Sequence, residues 1–201
     1  MTLAKNEGET AVRIARQMVD EFVKNGKVPT FEKLPKIFSE KRGVFVTLEK
    51  YPSHELRGCI GYPEPIMSLL NAIKDSAISA ASRDPRFNPV QEKELDGTVV
   101  EVTILTPPKK IVVEKPEDYP KKIKVGRDGL IIKSSFYSGL LLPQVPVEWG
   151  WDETEFLRQT CRKAGLVLDS WQDPQTEVFS FQGEVFSEKS PRGEIVKKEL
   201  G

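Results

Sequence analysis

The sequence predicts an α+β fold in which an antiparallel or mixed sheet is flanked by helices. Two observations support this class. Stretches with helical spacing of apolar residues are interspersed with short β-branched strands, and short hairpins join those strands in place of long crossovers. The 201 residues suit one domain, or one domain with two lobes. No stretch approaches the roughly 18 consecutive apolar residues that a membrane-spanning helix needs.

The first half of the chain contains two predicted helices around a predicted pair of strands. Apolar residues recur at spacings of three and four from Ala11 to Val23, and Gly26 then ends this helix. The residues from Val44 to Lys50 are β-branched and aromatic, as in a strand, and Leu56 to Gly61 form a partner strand. A second helix begins at Pro65 and continues to about Ala81.

The middle of the chain predicts further strands. Val99 to Leu105 alternate as a strand does and stop at two prolines. An Asp-Gly turn at Arg127–Gly129 predicts a hairpin between residues 122–126 and 130–133, because Asp-Gly favours the positive φ of tight turns. Residues 139–142 add a third strand.

The last part of the chain predicts one helix and one strand. Asp152 followed by Glu155 is a typical helix start, and Gly165 ends that helix. Residues 178–186 alternate as a strand. We expect the charged tail after Ser190 to be frayed.

Composition limits the classes of partner. Thirty Lys and Arg residues balance thirty Asp and Glu residues, which argues against bulk attraction to nucleic acid or anionic lipid. The basic segment Lys109–Arg127 is the local exception. It is either a solvated face or an anion-binding patch, and binding of nucleic acid through it is one hypothesis. Twenty lysines and twenty-one glutamates against eleven Asn and Gln are typical of a heat-adapted protein.

The compartment is expected to be the cytoplasm. The first nine residues carry three charges, which leaves no room for the apolar part of a secretory signal. Cys59 and Cys161 lie far apart in the chain, so we interpret both as reduced thiols, and the apolar neighbours of Cys161 predict a core position.

The segment Leu56–Gly61, with the sequence LRGCIG, is the most informative stretch. Strand alternation places Arg57 and Cys59 on one face, and a guanidinium beside a thiol favours the reactive thiolate. The glycines allow another backbone or a ligand to approach closely. The alternative is structural, since free cysteine is among the most buried residues and Gly58 could simply relieve crowding.

Four other residues are candidates for the same site. His54, the single histidine, lies five residues before Cys59 and would form a Cys–His nucleophilic pair if it reached the thiol. Arg83, Asp84 and Arg86 follow the second helix. They predict either a clamp for an anionic ligand or a salt bridge that fixes the loop.

The sequence does not contain the usual motifs of several reaction classes. One histidine and two distant cysteines make a zinc site built from those residues implausible, and no metal site is predicted. No phosphate-binding loop, dinucleotide fingerprint, iron–sulfur motif or serine-esterase elbow is present, so no cofactor is predicted.

Five short motifs in order resemble one known family. They are LRGCIG, DPRF at 84–87, GRDGL at 126–130, LLLPQV at 140–145 and CRKAGL at 161–166. Together they resemble the AMMECR domain family, which is named for a contiguous-gene syndrome candidate protein. The resemblance covers nearly the whole chain, from the first helix to about Phe186.

The resemblance implies a compact α+β domain over residues 1–201 with two unequal lobes and a cleft between them. We expect the smaller lobe around residues 107–142. It implies no established reaction, so whether the protein is an enzyme stays open. The first hypothesis is a cleft containing Arg57 and Cys59 that binds or acts on a small ligand, for which an anion is one candidate. The alternative is a non-catalytic module that binds a protein partner, and the family's association with Memo-like and radical SAM proteins suggests which partners.

Overall fold

A computed structural model describes residues 3–198 of the chain. They form an α+β structure of helices and antiparallel strands, as the sequence predicts, divided into two compact units. Unit 1 contains residues 3–105 and 184–198, and unit 2 contains residues 106–183. The expected smaller lobe, residues 107–142, lies within unit 2.

Unit 1 has two long helices, α1 (Lys5–Asn25) and α2 (Leu69–Ser82). Helix α1 ends at Gly26, whose φ of 64° is the left-handed conformation that glycine adopts without steric cost. Helix α2 begins after Ser68, whose hydroxyl accepts a hydrogen bond from the Asn71 N–H.

The strands of unit 1 are antiparallel. Strand β1 (Val44–Lys50) lies between β2 (Glu55–Tyr62) and β3 (Thr98–Leu105). Alternate residues of β1, Val44, Val46 and Leu48, are fully buried in a core with both helices, so Thr47 lies on the other face of the sheet.

Unit 2 has antiparallel strands and helices of its own. Strand β7 (Glu177–Glu188) begins here and lies between β4 (Lys109–Lys110) and β5 (Asp128–Ser134), and β5 pairs with the outer strand β6 (Tyr137–Leu141). Three helices belong to this unit. They are α3 (Tyr119–Lys122), α4 (Gln144–Trp149) and α5 (Glu153–Lys163).

The predicted hairpin at residues 127–129 is wrong. Asp128 and Gly129 belong to β5, and the left-handed residue is Gly126, with a φ of 81°. The Asp128 carboxylate accepts a hydrogen bond from the Lys124 N–H, which closes a turn over residues 124–128, before the predicted turn residues 128 and 129. The actual hairpin joins β5 to β6 through residues 135–136.

The predicted fraying of the tail is also wrong within the described residues. Ile195–Lys198 form β8, which pairs with the end of β7 inside unit 1. Ile195 is buried in the unit 1 core, and this burial stabilises the ordered conformation of the charged tail.

A buried ion pair ties α1 to the end of β7 in unit 1. The Arg16 Nε donates to Glu188 Oε1 at 2.9 Å, and both residues are buried. The Glu188 carboxylate also accepts from the Val100 N–H at 3.0 Å. The pair therefore holds a helix and two strands together.

None of the helices among residues 3–198 is both long enough and apolar enough to cross a bilayer.

Candidate functional site

The site is built where α2 packs on β2 at Gly58. Any side chain at Gly58 would clash with the backbone carbonyl of Ala80, so glycine allows the end of α2 to lie directly on the strand. The chain that leaves α2 then follows the free edge of β2. This arrangement brings the Asp84–Phe87 segment beside Cys59.

Asp84 organises that contact. Its buried carboxylate accepts a hydrogen bond from the Cys59 N–H at 2.8 Å and further bonds from the backbone and guanidinium of Arg86. The Arg86 hydrogen bond is the main reason that the pKa of Asp84 lies well below its usual range. Asp84 is therefore an ionised structural anchor, as the salt-bridge interpretation of this loop predicts.

Arg86 is held in place by Asp84 and by the strand. Its Nε and Nη2 bind the carboxylate at 3.0 and 2.7 Å, and Nη2 also donates to the Cys59 carbonyl at 3.2 Å. The side chain nevertheless remains 53% exposed. Within residues 3–198 its Nη1 makes no hydrogen bond, so one side of a rigidly held cation faces solvent.

The Cys59 thiol is partly buried and neutral. It accepts a hydrogen bond from the Thr47 hydroxyl at 3.3 Å. Burial raises its pKa, and the opposing effects of Thr47 and Arg86 are smaller. Burial therefore disfavours the thiolate that the sequence predicts, and the positive charge of Arg86 opposes this effect only in part.

Arg57 makes different contacts from those predicted. The register of β2 against β1 shifts at this residue, so a β-bulge interrupts the alternation that would place Arg57 and Cys59 on one face. The Arg57 Nε donates to Glu94 Oε1 at 2.8 Å, and its Nη2 donates to the Asn88 carbonyl at 3.0 Å. The arginine whose charge acts on the thiol is Arg86, not Arg57.

His54 and Arg83 also lie apart from the thiol. His54 Nδ1 is 2.8 Å from Glu49 Oε2 and the ring is exposed, so the proposed Cys–His pair is wrong. Arg83 donates to Asp75 Oδ1 at 2.8 Å, and Asp75 also accepts a hydrogen bond from the Tyr62 hydroxyl. Neither residue shares a hydrogen bond with Asp84 or Arg86.

Three residues of the site were not predicted from sequence. Thr47 is the register partner of both Cys59 and Glu101, so these three residues form a row across β2, β1 and β3. Lys198 extends the row, since its Nζ lies 2.6 Å from Glu101 Oε2. Placing the two predicted strands in antiparallel register would have identified Thr47, whereas Glu101 required knowledge that β3 pairs with β1.

The site therefore forms a polar stripe on the sheet, made of Arg86, Cys59, Thr47, Glu101 and Lys198. A family model described as AMMECR1 matches residues 12–186, which include every residue of the stripe except Lys198. The chain belongs to the AMMECR1 family.

Other AMMECR1-family proteins are similar over the whole chain. Protein MJ0810 of Methanocaldococcus jannaschii is 52% identical over 198 residues, which cover 98% of each chain. A protein of Thermococcus gammatolerans is 56% identical over 198 residues, which cover 96% of each chain. The crystal structure of uncharacterized protein PH0010 from Pyrococcus horikoshii has a TM-score of 0.82 and 52% identity, and the match covers 98% of this chain and 99% of that one.

The polar stripe of this AMMECR1-family protein lines neither of two surface cavities. Surface cavities of about 510 and 340 Å³ are lined by other residues, around Val112 in unit 2 and around Arg13 in unit 1. Among residues 3–198, no group of three or more His, Cys, Asp or Glu side chains is arranged to hold a metal ion.

We expect Cys59 to be more accessible to reagents than Cys161, and we expect both thiols to be alkylated slowly near neutral pH. Cys161 is fully buried, and burial raises its pKa to about 11. We expect iodoacetamide to modify Cys59 first. We also expect the rate to rise about tenfold per pH unit above neutrality, since only the thiolate reacts. Mass spectrometry of timed samples measures both rates, and a rate for Cys59 that is already at its plateau near neutral pH would contradict this assignment.

Proposed function

We propose that this protein binds a small anionic ligand on the polar stripe of unit 1 and that Cys59 contacts the ligand as a neutral thiol. The observation that carries the proposal is the state of Arg86. Two of its nitrogens are fixed by Asp84 and the Cys59 carbonyl, while the guanidinium remains half exposed and its charge acts on the Cys59 thiol.

A fixed arginine is well suited to anions. Its charge is permanent, and a guanidinium that is already oriented loses less side-chain entropy when it forms a hydrogen bond to a carboxylate or phosphate. The Thr47 hydroxyl and the Cys59 thiol add neutral polar contacts next to it. This combination supports recognition of a compact anion with polar substituents.

The same contacts favour binding over covalent catalysis. The raised pKa of Cys59 keeps the thiol protonated near neutral pH, and His54 is bound to Glu49 instead of serving as its base. Arg57 and Asp84 have their charges satisfied by Glu94 and Arg86. They act by fixing the strand and the loop.

The basic segment gives less support to nucleic-acid binding. Lys110, Lys121 and Arg127 each form an ion pair, with Glu177, Asp118 and Asp128 respectively. These pairs reduce the excess positive charge available for phosphate contacts.

Removal of the Arg86 charge tests the proposal. We expect phosphate, malonate and citrate, titrated at constant ionic strength, to shift the amide signals of Cys59 and Thr47 in NMR spectra of the wild-type protein. Arg86→Gln should weaken this binding roughly tenfold or more, since a hydrogen bond to a charged group contributes about 1.5–3 kcal/mol. Thermal unfolding of the variant checks that the fold is kept.

Arg83→Gln is the matched control. Arg83 lies three residues away and carries the same charge at a similar exposure of 57%, yet it binds Asp75. Its substitution should leave the titration unchanged. Equal affinity of the wild type and the Arg86 variant, or equal losses in both variants, would reject the stripe as the binding site.

A further inference from the structure

Strand β6 of unit 2 is an outer strand with an unpaired edge. Its inner side pairs with β5 in a register that runs from Ser134 opposite Tyr137 to Leu130 opposite Leu141. No other strand among residues 3–198 pairs with β6. One row of its backbone groups therefore faces away from the sheet.

The sheet pattern identifies which residues carry that row. The Val178 carbonyl accepts a hydrogen bond from the Ile111 N–H, so the backbone groups of Val178 point away from β5. Val178 and Ile132, its register partner on β5, are therefore a pair without hydrogen bonds between them. Ile132 must then direct its backbone groups to Gly139 on β6. By alternation, Ser138 and Leu140 point their N–H and C=O groups outward, and within residues 3–198 these four groups have no hydrogen-bond partner.

Aromatic side chains lie at the start of this edge. Phe136, in the turn that precedes β6, is completely exposed, and Tyr137 is 55% exposed. The Tyr137 ring lies close to Gly165, and Val167, two residues further along the chain, is also exposed. An apolar surface thus adjoins the unpaired backbone groups, as at sites where proteins bind an added strand.

The surroundings of this edge are basic. Helix α5 ends against Gly139, so its exposed last residues Arg162 and Lys163 lie close to the strand. Neither of these basic residues has a carboxylate within 4.0 Å among residues 3–198. The edge is therefore suited to an acidic partner.

We propose that β6 binds an extended acidic peptide segment of another protein as an added strand. Up to four backbone hydrogen bonds to Ser138 and Leu140 supply its alignment. Phe136 and Tyr137 contact its apolar residues, and Arg162 and Lys163 contact its carboxylates. None of these residues belongs to the polar stripe.

A second copy of the chain fits this edge less well. Antiparallel pairing of two β6 strands would centre on Gly139, between the two outward residues. Because α5 ends at Gly139 in each copy, the two Arg162–Lys163 clusters would then approach each other. Like charges in that position oppose self-association.

A selection from a random twelve-residue phage library tests the proposal with the full chain as bait. We expect selected peptides to alternate apolar and acidic residues. In hydrogen exchange read by NMR, the Ser138 and Leu140 amides should exchange rapidly in the free protein and become protected when such a peptide binds.

Two edge variants and a charge reversal define the outcomes. Ser138→Pro removes an outward N–H without removing a bond to β5, and it should weaken peptide binding at least tenfold. Ser138→Thr keeps the N–H and should retain affinity. Should the proline variant not fold, the double substitution Arg162→Glu with Lys163→Glu should produce a similar loss.

Three results would overturn the proposal. One is a selection that returns no peptides sensitive to these substitutions. Another is protection that appears at residues other than Ser138 and Leu140. The third is that no peptide binds and Ser138→Pro instead abolishes another interaction. That interaction would be a concentration-dependent dimer, or binding to vesicles of anionic phosphatidylserine.

Discussion

Glu188→Ala should lower the free energy of unfolding by roughly 3–5 kcal/mol, as expected when one partner of a buried ion pair is removed. Arg16 would remain buried with its charge poorly compensated, since its nearest other carboxylate oxygen, on Asp20, is 3.4 Å from Nη1. The Val100 N–H would also lose its acceptor. Urea unfolding followed by circular dichroism measures the difference.

An exposed ion pair of the same unit provides the control. Glu194 binds Lys189 at 2.7 Å, but both side chains are more than half exposed. Glu194→Ala should cost far less stability than Glu188→Ala, because solvent screens the pair and hydrates the lysine that remains. Similar losses in the two variants would show that the Arg16–Glu188 pair does not hold unit 1 together.

Asp84→Ala should be the most damaging substitution for the proposed ligand site. The Cys59 N–H would lose its acceptor and Arg86 would lose the two bonds that orient it. We expect a loss of about 2–3 kcal/mol in stability, because a buried donor left without a partner costs about 1–3 kcal/mol and bonds to a charged group add to this. Anion binding should fall at least as much as in Arg86→Gln.

The stability lost with Asp84 should depend on pH. Its folded-state pKa lies below the unfolded value of about 4, so its contribution is complete above that pH and declines as the pH falls further. The difference between wild-type and Asp84→Ala unfolding should therefore shrink under acid conditions. Asp75→Ala provides a comparison: the Tyr62 hydrogen bond also lowers the pKa of Asp75, so we expect a dependence of the same sign, but a smaller one because Asp75 is partly exposed. A difference that stays constant from neutral to strongly acid pH would contradict the anchoring role.

The sequence predicted the elements with strong periodicity and missed those set by contacts distant along the chain. The α1 pattern and the Asp152 cap are local signals, and both are confirmed by the structure. The Asp-Gly prediction failed because Asp128 bonds back to Lys124, which moves the turn to Gly126. The order of the tail depends on pairing with β7, which lies outside any local window.

The composition of the site was easier to predict than its geometry. The LRGCIG and DPRF motifs gave Cys59, Asp84 and Arg86, which do lie together. The orientation of Arg57 depended on a β-bulge, and simple alternation along a strand does not include a bulge. Thr47 joined the site through cross-strand register, which becomes available only when the pairing of strands is known.

The contact between Asp84, Arg86 and Cys59 has a consequence for solubility. On the open side of β2, a carboxylate accepts from the Cys59 N–H and a guanidinium donates to its carbonyl, as the backbone of an adjacent strand would. The two charged side chains thus occupy the backbone hydrogen-bonding groups of Cys59, near the middle of the edge strand β2. A foreign chain that approached this edge would have to displace them, so the loop guards unit 1 against edge-to-edge aggregation.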